Sequence, residues 1–148
     1  MRDFAAELGS LGYPGFAHLR AATTPDPADL LLTALAQSDL DVRVIEGLPW
    51  VVLNYPDLDW ERLIQHAQAK ALQNRLGYIV SLARQLADSP ALAAHEVVLR
   101  QARLDIEDTL CENLTAAERE WLRQSRPPGA AQWNLLTGLS PGNLRYAA

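Results

Sequence analysis

The residue types that most often bind metals or act as acid-base catalysts are widely separated in this chain of 148 residues. The three histidines are His18, His66 and His95, and none belongs to a pair spaced for zinc on one helix, as in H-E-x-x-H. His66 lies among polar neighbours inside a helical pattern, so its side chain is expected to face solvent. The sequence therefore predicts no metal site.

Signatures of nucleophilic catalysis and of phosphate binding are also missing from the sequence. Cys111 is the only cysteine, and Glu112 beside it does not provide the positive surroundings that activate a thiol, so an ordinary half-buried residue is expected. The sequence contains no G-x-S-x-G elbow, no P-loop and no G-x-G-x-x-G turn. Neither acyl transfer nor nucleotide chemistry is indicated, and no cofactor is expected.

Two groups of carboxylates could bring acidic side chains together. Asp57 and Asp59 are explained by capping of a helix that begins after them. Asp105, Asp108 and Glu112 are predicted to share one face of a long helix, where a solvated stripe is the ordinary interpretation. The same stripe could instead face a basic partner, as an inhibitor of a nucleic-acid-acting toxin would require. A small enzyme with an unrecognised acid-base site remains an alternative.

Charge is unevenly distributed along the chain, whose formal net charge is −5. Residues 1–60 carry nine acidic and three basic side chains, whereas residues 61–104 carry six basic and three acidic ones. This basic middle could form an anionic docking face or could neutralise the acidic ends internally. Because the whole chain is acidic, nucleic acid is not the expected partner. A DNA-reading pair of helices over residues 60–87, with Asn74, Arg75 and Arg84 as its polar readers, remains an alternative.

The elements that would position these residues are predicted to be helices. Asp26-Pro27, Asp41, Asp59, Ser89-Pro90 and Thr115 with Glu118 are all typical of helix starts. Pro49 should break or kink the second predicted helix, where Val and Ile also permit a short strand. The predicted helices span about residues 27–37, 42–54, 60–71, 73–87, 90–112 and 116–125.

The two ends of the chain are harder to assign. Residues 1–25 are expected to form an irregular N-terminal arm with one or two short helices, because glycines and Pro14 interrupt them. The tail over residues 127–148 contains Trp133 and Tyr146 and is too apolar to remain in water, so it should dock on its own domain or on a partner. With no apolar membrane span and no secretion signal, a cytoplasmic location is expected.

Two stretches resemble a known group of bacterial proteins: DVRVIEGLPWVVLNYPDLDWERLIQHAQAKALQNRLGYIVSLARQLA at residues 41–87, and LTAAEREWLRQSRPPGAAQWNLLTGLSPGNLRY at residues 114–146. They are similar to the helical region that follows an N-terminal helix-turn-helix in XRE-type regulators of the antitoxin kind. The segment QNRLGYIVSLARQL also resembles a helix in the C-terminal domain of AbiEi-type antitoxins. The matching positions are Trp50, Trp60, Arg75, Leu76, Gly77 and Trp133.

The resemblance implies the toxin-contacting part of such a regulator. Only 40 residues precede the first matching stretch, too few for the usual DNA-binding domain, so DNA reading is not carried over. The resemblance supplies no catalytic residue. At the matching positions, core packing and helix capping are the alternative explanation.

Together these observations predict one all-α domain, a compact bundle of about six to eight helices kinked at Pro49. The expected function is a non-enzymatic protein-interaction module, the antitoxin or accessory component of a toxin-antitoxin or phage-defence pair. A toxin encoded nearby is the expected partner, and a homodimer is a further option. The candidate partner-binding residues are Arg75, Arg84, Arg100, Arg103, Asp105, Asp108, Glu112, Trp133 and Tyr146.

Overall fold

The computed structural model describes residues 2–145, and within this range the chain is an all-α bundle, as predicted. Eight α-helices and a single pair of two-residue strands are present in the described part. The helices are α1 (Phe4–Leu11), α2 (Pro27–Leu35), α3 (Val42–Asn54), α4 (Trp60–Ala69), α5 (Gln73–Leu86), α6 (Pro90–Gln101), α7 (Ala116–Ser125) and α8 (Pro128–Gln132). Short 3-10 helices span Pro14–Phe16 and Pro141–Asn143. No helix in the described range is both long and apolar enough to cross a membrane.

Four of the predicted helix starts are confirmed by side-chain caps. The carboxylates of Asp41 and Asp59 and the hydroxyl of Ser89 accept hydrogen bonds from backbone N–H groups of the first turn. Thr115 and Glu118 form the predicted capping box at the start of α7. These caps fix where α3, α4, α6 and α7 begin.

Helix α3 continues through Pro49 as one element, so of the predicted break or kink the break does not occur, and the alternative strand does not form. Pro49 is buried together with Leu48 and Trp50. Tight packing around the proline compensates for the backbone hydrogen bond that it cannot donate.

Helix α5 is the centre of the bundle. Eleven of its fourteen residues are buried, including the polar residues Gln73, Asn74 and Arg75 of its first turn. It packs against α3, α4 and α6, and its middle also contacts the C-terminal segment. A helix surrounded in this way explains why its apolar pattern covers more than one face.

Helix α6 ends at Gln101, so the prediction of a helix reaching residue 112 is wrong. The side-chain amide of Asn74 donates to Leu104 O at 2.8 Å and accepts from Leu104 N at 2.8 Å, and Gln73 donates to Ala102 O at 3.1 Å. These bonds satisfy the backbone of residues 102–104 outside a helix. The chain then turns back to place Leu110 in the core.

The segments at both ends of the described range are packed into the bundle. The first segment forms α1 and a 3-10 helix, in agreement with the one or two short helices predicted for residues 1–25, and its Leu8 and Phe16 belong to the hydrophobic core. In the C-terminal segment, Trp133 and Leu135 are buried against the helices. Strand β2 (Leu135–Leu136) also pairs in parallel with β1 (Asp108–Thr109). Within the described range, the tail therefore docks on its own domain.

Candidate functional site

A groove of about 620 Å³ lies between the first turns of α2 and α4. The loop that follows α3 closes one side of it. Its apolar lining consists of Pro27, Ala28, Leu32, Tyr55, Pro56, Leu58 and Leu63. Its polar lining consists of Asp26, Asp29, Asn54, Asp57, Asp59, Arg62 and His66. We call it the α2/α4 groove.

The α2/α4 groove has an acidic rim. Asp26 and Asp57 are exposed, and Asp26 precedes α2 without forming a side-chain cap. Asp29 is already paired with Arg2 at 2.8 Å, and Asp59 accepts from Arg62 N at 3.2 Å. The lining thus contains four carboxylates and one arginine. Asp26 and Asp57 are the two carboxylates that are not used in these internal bonds. The rim would attract a cationic group, while the half-buried Tyr55 and Leu58 of the lining offer an apolar surface.

Arg75, a predicted partner-binding residue, is only 9% exposed and lies at the centre of a buried polar network. Its guanidinium forms two bonds to the Asp108 carboxylate, at 2.9 and 3.1 Å. Nη1 also donates to Leu35 O at 2.7 Å and to Gln37 O at 3.0 Å. Arg75 therefore joins the end of α2 to strand β1, and its donors are used inside the domain.

Arg84 and Arg100 share the buried carboxylate of Glu96. Arg84 Nη2 lies 2.9 Å and Arg100 Nη2 3.6 Å from Glu96 Oε1, while the two arginine side chains are 43% and 53% exposed. Arg100 also lies over the ring of Trp133, 5.7 Å from its centroid. Trp133 itself is 1% exposed, so in this conformation its ring contributes to the core. Both arginines keep part of their surface toward solvent.

The predicted acidic stripe is not formed, because residues 105–112 are not helical. Asp108 pairs with Arg75, and Asp105 is exposed in the loop before β1. Glu112 is half-buried and accepts from Thr137 Oγ1 at 3.4 Å. Arg103, near these residues, donates to Gln132 O at 3.1 Å. Tyr146, the remaining candidate, lies outside the described residues.

The helix pair over residues 60–87 does not present the polar readers that DNA recognition would need. Asn74 and Arg75 are 4% and 9% exposed and bind backbone groups of the same chain. Arg84 alone of the three keeps substantial exposure. The features that suggested DNA contact thus belong mainly to the interior.

The histidines, the cysteine and the carboxylates that could take part in catalysis or metal binding are dispersed in the fold. Among the described residues, no group of three or more His, Cys, Asp and Glu side chains could hold a metal ion. Cys111 is fully buried rather than half-buried, and this burial raises its pKa to about 11 despite the nearby Arg75. His95 stacks on Trp60 at 4.3 Å between centroids, and burial lowers its pKa. His66 faces solvent on the α2/α4 groove, as predicted.

The α2/α4 groove was not predicted from the sequence, although its parts were recognised separately. Asp26-Pro27 and Asp59 were both assigned to helix starts. Nothing local indicates that two helix starts 33 positions apart lie side by side. Two acidic helix starts, each followed by leucines, would have been the available signal.

Comparison with protein-family models, with curated proteins and with solved structures found no match. The resemblance to antitoxins therefore rests on the quoted sequence stretches alone. Three of its matching positions, Arg75, Gly77 and Trp133, have packing roles inside the bundle.

Proposed function

We propose that this chain is a non-enzymatic protein-interaction module that binds a basic segment of a partner protein in the α2/α4 groove. The observation that carries the proposal is the combination of an acidic rim with an apolar floor in one open concavity. A segment that alternates aliphatic with Lys or Arg side chains would place the aliphatic ones on Tyr55 and Leu58. Its cations would meet Asp26 and Asp57, which have the least internal commitment.

The proposed setting is a bacterial toxin-antitoxin or phage-defence pair, in which this chain is the antitoxin or accessory component. Nucleic-acid-acting toxins need basic surfaces to hold phosphates, and an acidic groove is complementary to such a surface. The sequence resemblance described above points in the same direction. In this setting the acidic contact is provided by the groove rather than by residues 105–112.

Peptide selection tests the binding site directly. Short random peptides selected on the purified protein should become enriched in Lys, Arg and aliphatic residues. Replacing Asp26→Asn together with Asp57→Asn should weaken their binding about tenfold or more, since two charge contacts are removed. Asp39→Asn with Asp105→Asn removes the same charge from exposed positions outside the groove and should leave binding almost unchanged. Enrichment of acidic peptides, or equal losses in both double variants, would contradict the proposal.

The antitoxin setting requires its own experiment. The product of the neighbouring gene should arrest growth when expressed alone, and co-expression of this chain should restore growth. The Asp26→Asn and Asp57→Asn double variant should fail to restore it, whereas the Asp39→Asn and Asp105→Asn control should succeed. If the product of the neighbouring gene does not arrest growth, the toxin-antitoxin setting is contradicted. Binding in the α2/α4 groove is then tested by the peptide experiment alone.

A further inference from the structure

Helix α6 turns Leu92 and Leu99 toward the core as an ordinary surface helix does, but it also buries a carboxylate and exposes aliphatic side chains. Its single carboxylate, Glu96, is 3% exposed, while Val97 and Val98 are 54% and 46% exposed. Ala91 and Ala94 are exposed on the same side. An ordinary surface helix directs its charges outward and its aliphatic residues toward the core. Over residues 91–98, the exposed side chains of α6 are therefore all alanine or valine.

The charges at the two ends of this face are opposite. Asp88 is exposed just before α6, and Arg100 is exposed near its last residue. Glu96 is shared by Arg84 and Arg100, so this end of the helix keeps an excess positive charge. Two such helices side by side are attracted most strongly when they run antiparallel.

We infer that the outward face of α6 binds the same face of a second copy of this chain, in an antiparallel pair with Ala94 at the two-fold axis. Around that axis, Ala91 faces Val97 of the second copy, so a small residue meets a larger one. Asp88 then lies at the same end of the pair as Arg100 of the second copy, and the contact is repeated by symmetry. The small side chain of Ala94 allows the two helices to approach closely.

The pair should be a weak dimer. Twelve residues of helix extend only about 18 Å, which gives a contact smaller than a standard protein interface. The association is expected in the micromolar range rather than the nanomolar one. The contact uses none of the residues that line the α2/α4 groove, so it stands independently of the proposed function.

Sedimentation velocity of the intact protein at about 5 to 500 µM, the range suited to a small interface, tests the association. The wild-type protein should shift from monomer to dimer across this series. Val97→Lys with Val98→Lys should remain monomeric at every concentration. Ile106→Lys, at a position 67% exposed outside α6, should dimerise like the wild type. A monomeric wild type, or a dimer that persists in the Val97→Lys and Val98→Lys variant, would overturn the inference.

Cysteine cross-linking tests the register. Cys111 is fully buried, so a cysteine introduced on α6 provides the accessible thiol for mild oxidation. Ala94→Cys should form a covalent dimer by itself, because the residue faces its own copy. Ala91→Cys and Val97→Cys should cross-link when mixed but only weakly alone. Failure of Ala94→Cys to cross-link at concentrations where the dimer is populated would overturn the antiparallel pairing.

Discussion

Glu112 is the carboxylate with the least favourable surroundings among those that the sequence singled out. Burial raises its pKa above the ordinary value, and the negative charge of Glu118 adds to the effect, while the bond from Thr137 opposes it. Its charged form is therefore less stable in the folded chain than in the unfolded chain. Glu112, which the sequence predicted as a partner contact, therefore lowers the stability of the fold at neutral pH.

The sign of this effect makes Glu112→Gln informative. Because the folded pKa is raised, protonated Glu112 favours folding at low pH, and that contribution is lost as the pH rises through the raised pKa. The uncharged amide keeps an acceptor for Thr137 and has no such loss. The variant should therefore have a higher free energy of unfolding than the wild type at pH 7, with the difference shrinking toward pH 4. Urea denaturation at several pH values measures it, and a variant that is less stable at pH 7 would contradict the argument.

At the scale of elements, the end of α4 carries a strained residue. Ala71 follows this helix with a φ of +57°, a left-handed conformation that the Cβ of alanine makes unfavourable. Leu72 N donates to Ala67 O across this turn at 2.7 Å, which closes the helix. Helices that end in this way usually place glycine at the left-handed position. Because Ala71 is left-handed, the connection from α4 to α5 is short, and Gln73 reaches the loop after α6.

Replacing Ala71→Gly should stabilise the protein by about 0.5 to 1 kcal/mol, because glycine adopts positive φ without the steric penalty. The side chain of Ala71 is exposed, so little packing is lost. The matched change Ala69→Gly, at the last residue of the same helix, should instead destabilise by about as much, because it lowers helix propensity. Thermal unfolding followed by circular dichroism compares the two. Equal effects of the two substitutions would show that Ala71 is not strained.

Elements whose signals are local were predicted correctly from the sequence. Each confirmed cap, such as Asp59 or Thr115, bonds to an amide only two or three positions ahead, so the pattern is visible in the residues themselves. The end of α6 was missed because it depends on Asn74, which lies 30 positions from Leu104. The bond from Arg75 to Leu35 O likewise joins residues 40 positions apart. Bonds of this range become visible only when the chain is folded.

The candidate site was predicted less well than the fold. Arginines were selected for their charge, yet Arg75 is satisfied internally and Arg84 and Arg100 share Glu96. A buried arginine and an exposed one look alike in a sequence, because the difference lies in a partner from another element. The α2/α4 groove depends on the placement of two helices against each other. Local patterning identifies where helices begin but not which of their ends meet.

At the scale of the whole molecule, the C-terminal segment is joined to the central helix by a close contact at Gly77. A Cβ atom placed on Gly77 would overlap the six-membered ring of Trp133. The Asn74 side chain donates to Trp133 O at 3.0 Å, and the Tyr78 hydroxyl donates to Leu139 O. Three contacts from residues 74–78 of α5 thus hold the segment in the same core as the N-terminal helices. The domain should unfold as one unit.

Gly77→Ala tests how firmly the segment is held. In an isolated helix this change would stabilise by about 1 kcal/mol, because alanine has the higher helix propensity. Here the ring of Trp133 is buried and its backbone is fixed by Asn74, so the overlap must be relieved by moving the segment. Overpacking of this kind costs about 1 to 3 kcal/mol, which outweighs or at least cancels the propensity gain. The expected result is a lower free energy of unfolding together with a changed fluorescence of Trp133.

Gly138→Ala, where a Cβ would meet nothing within 4 Å, provides the control in the same segment and should be neutral or slightly stabilising. If Gly77→Ala were the more stable of the two variants, the segment would be loosely attached, and its apolar residues would again be candidates for binding a partner.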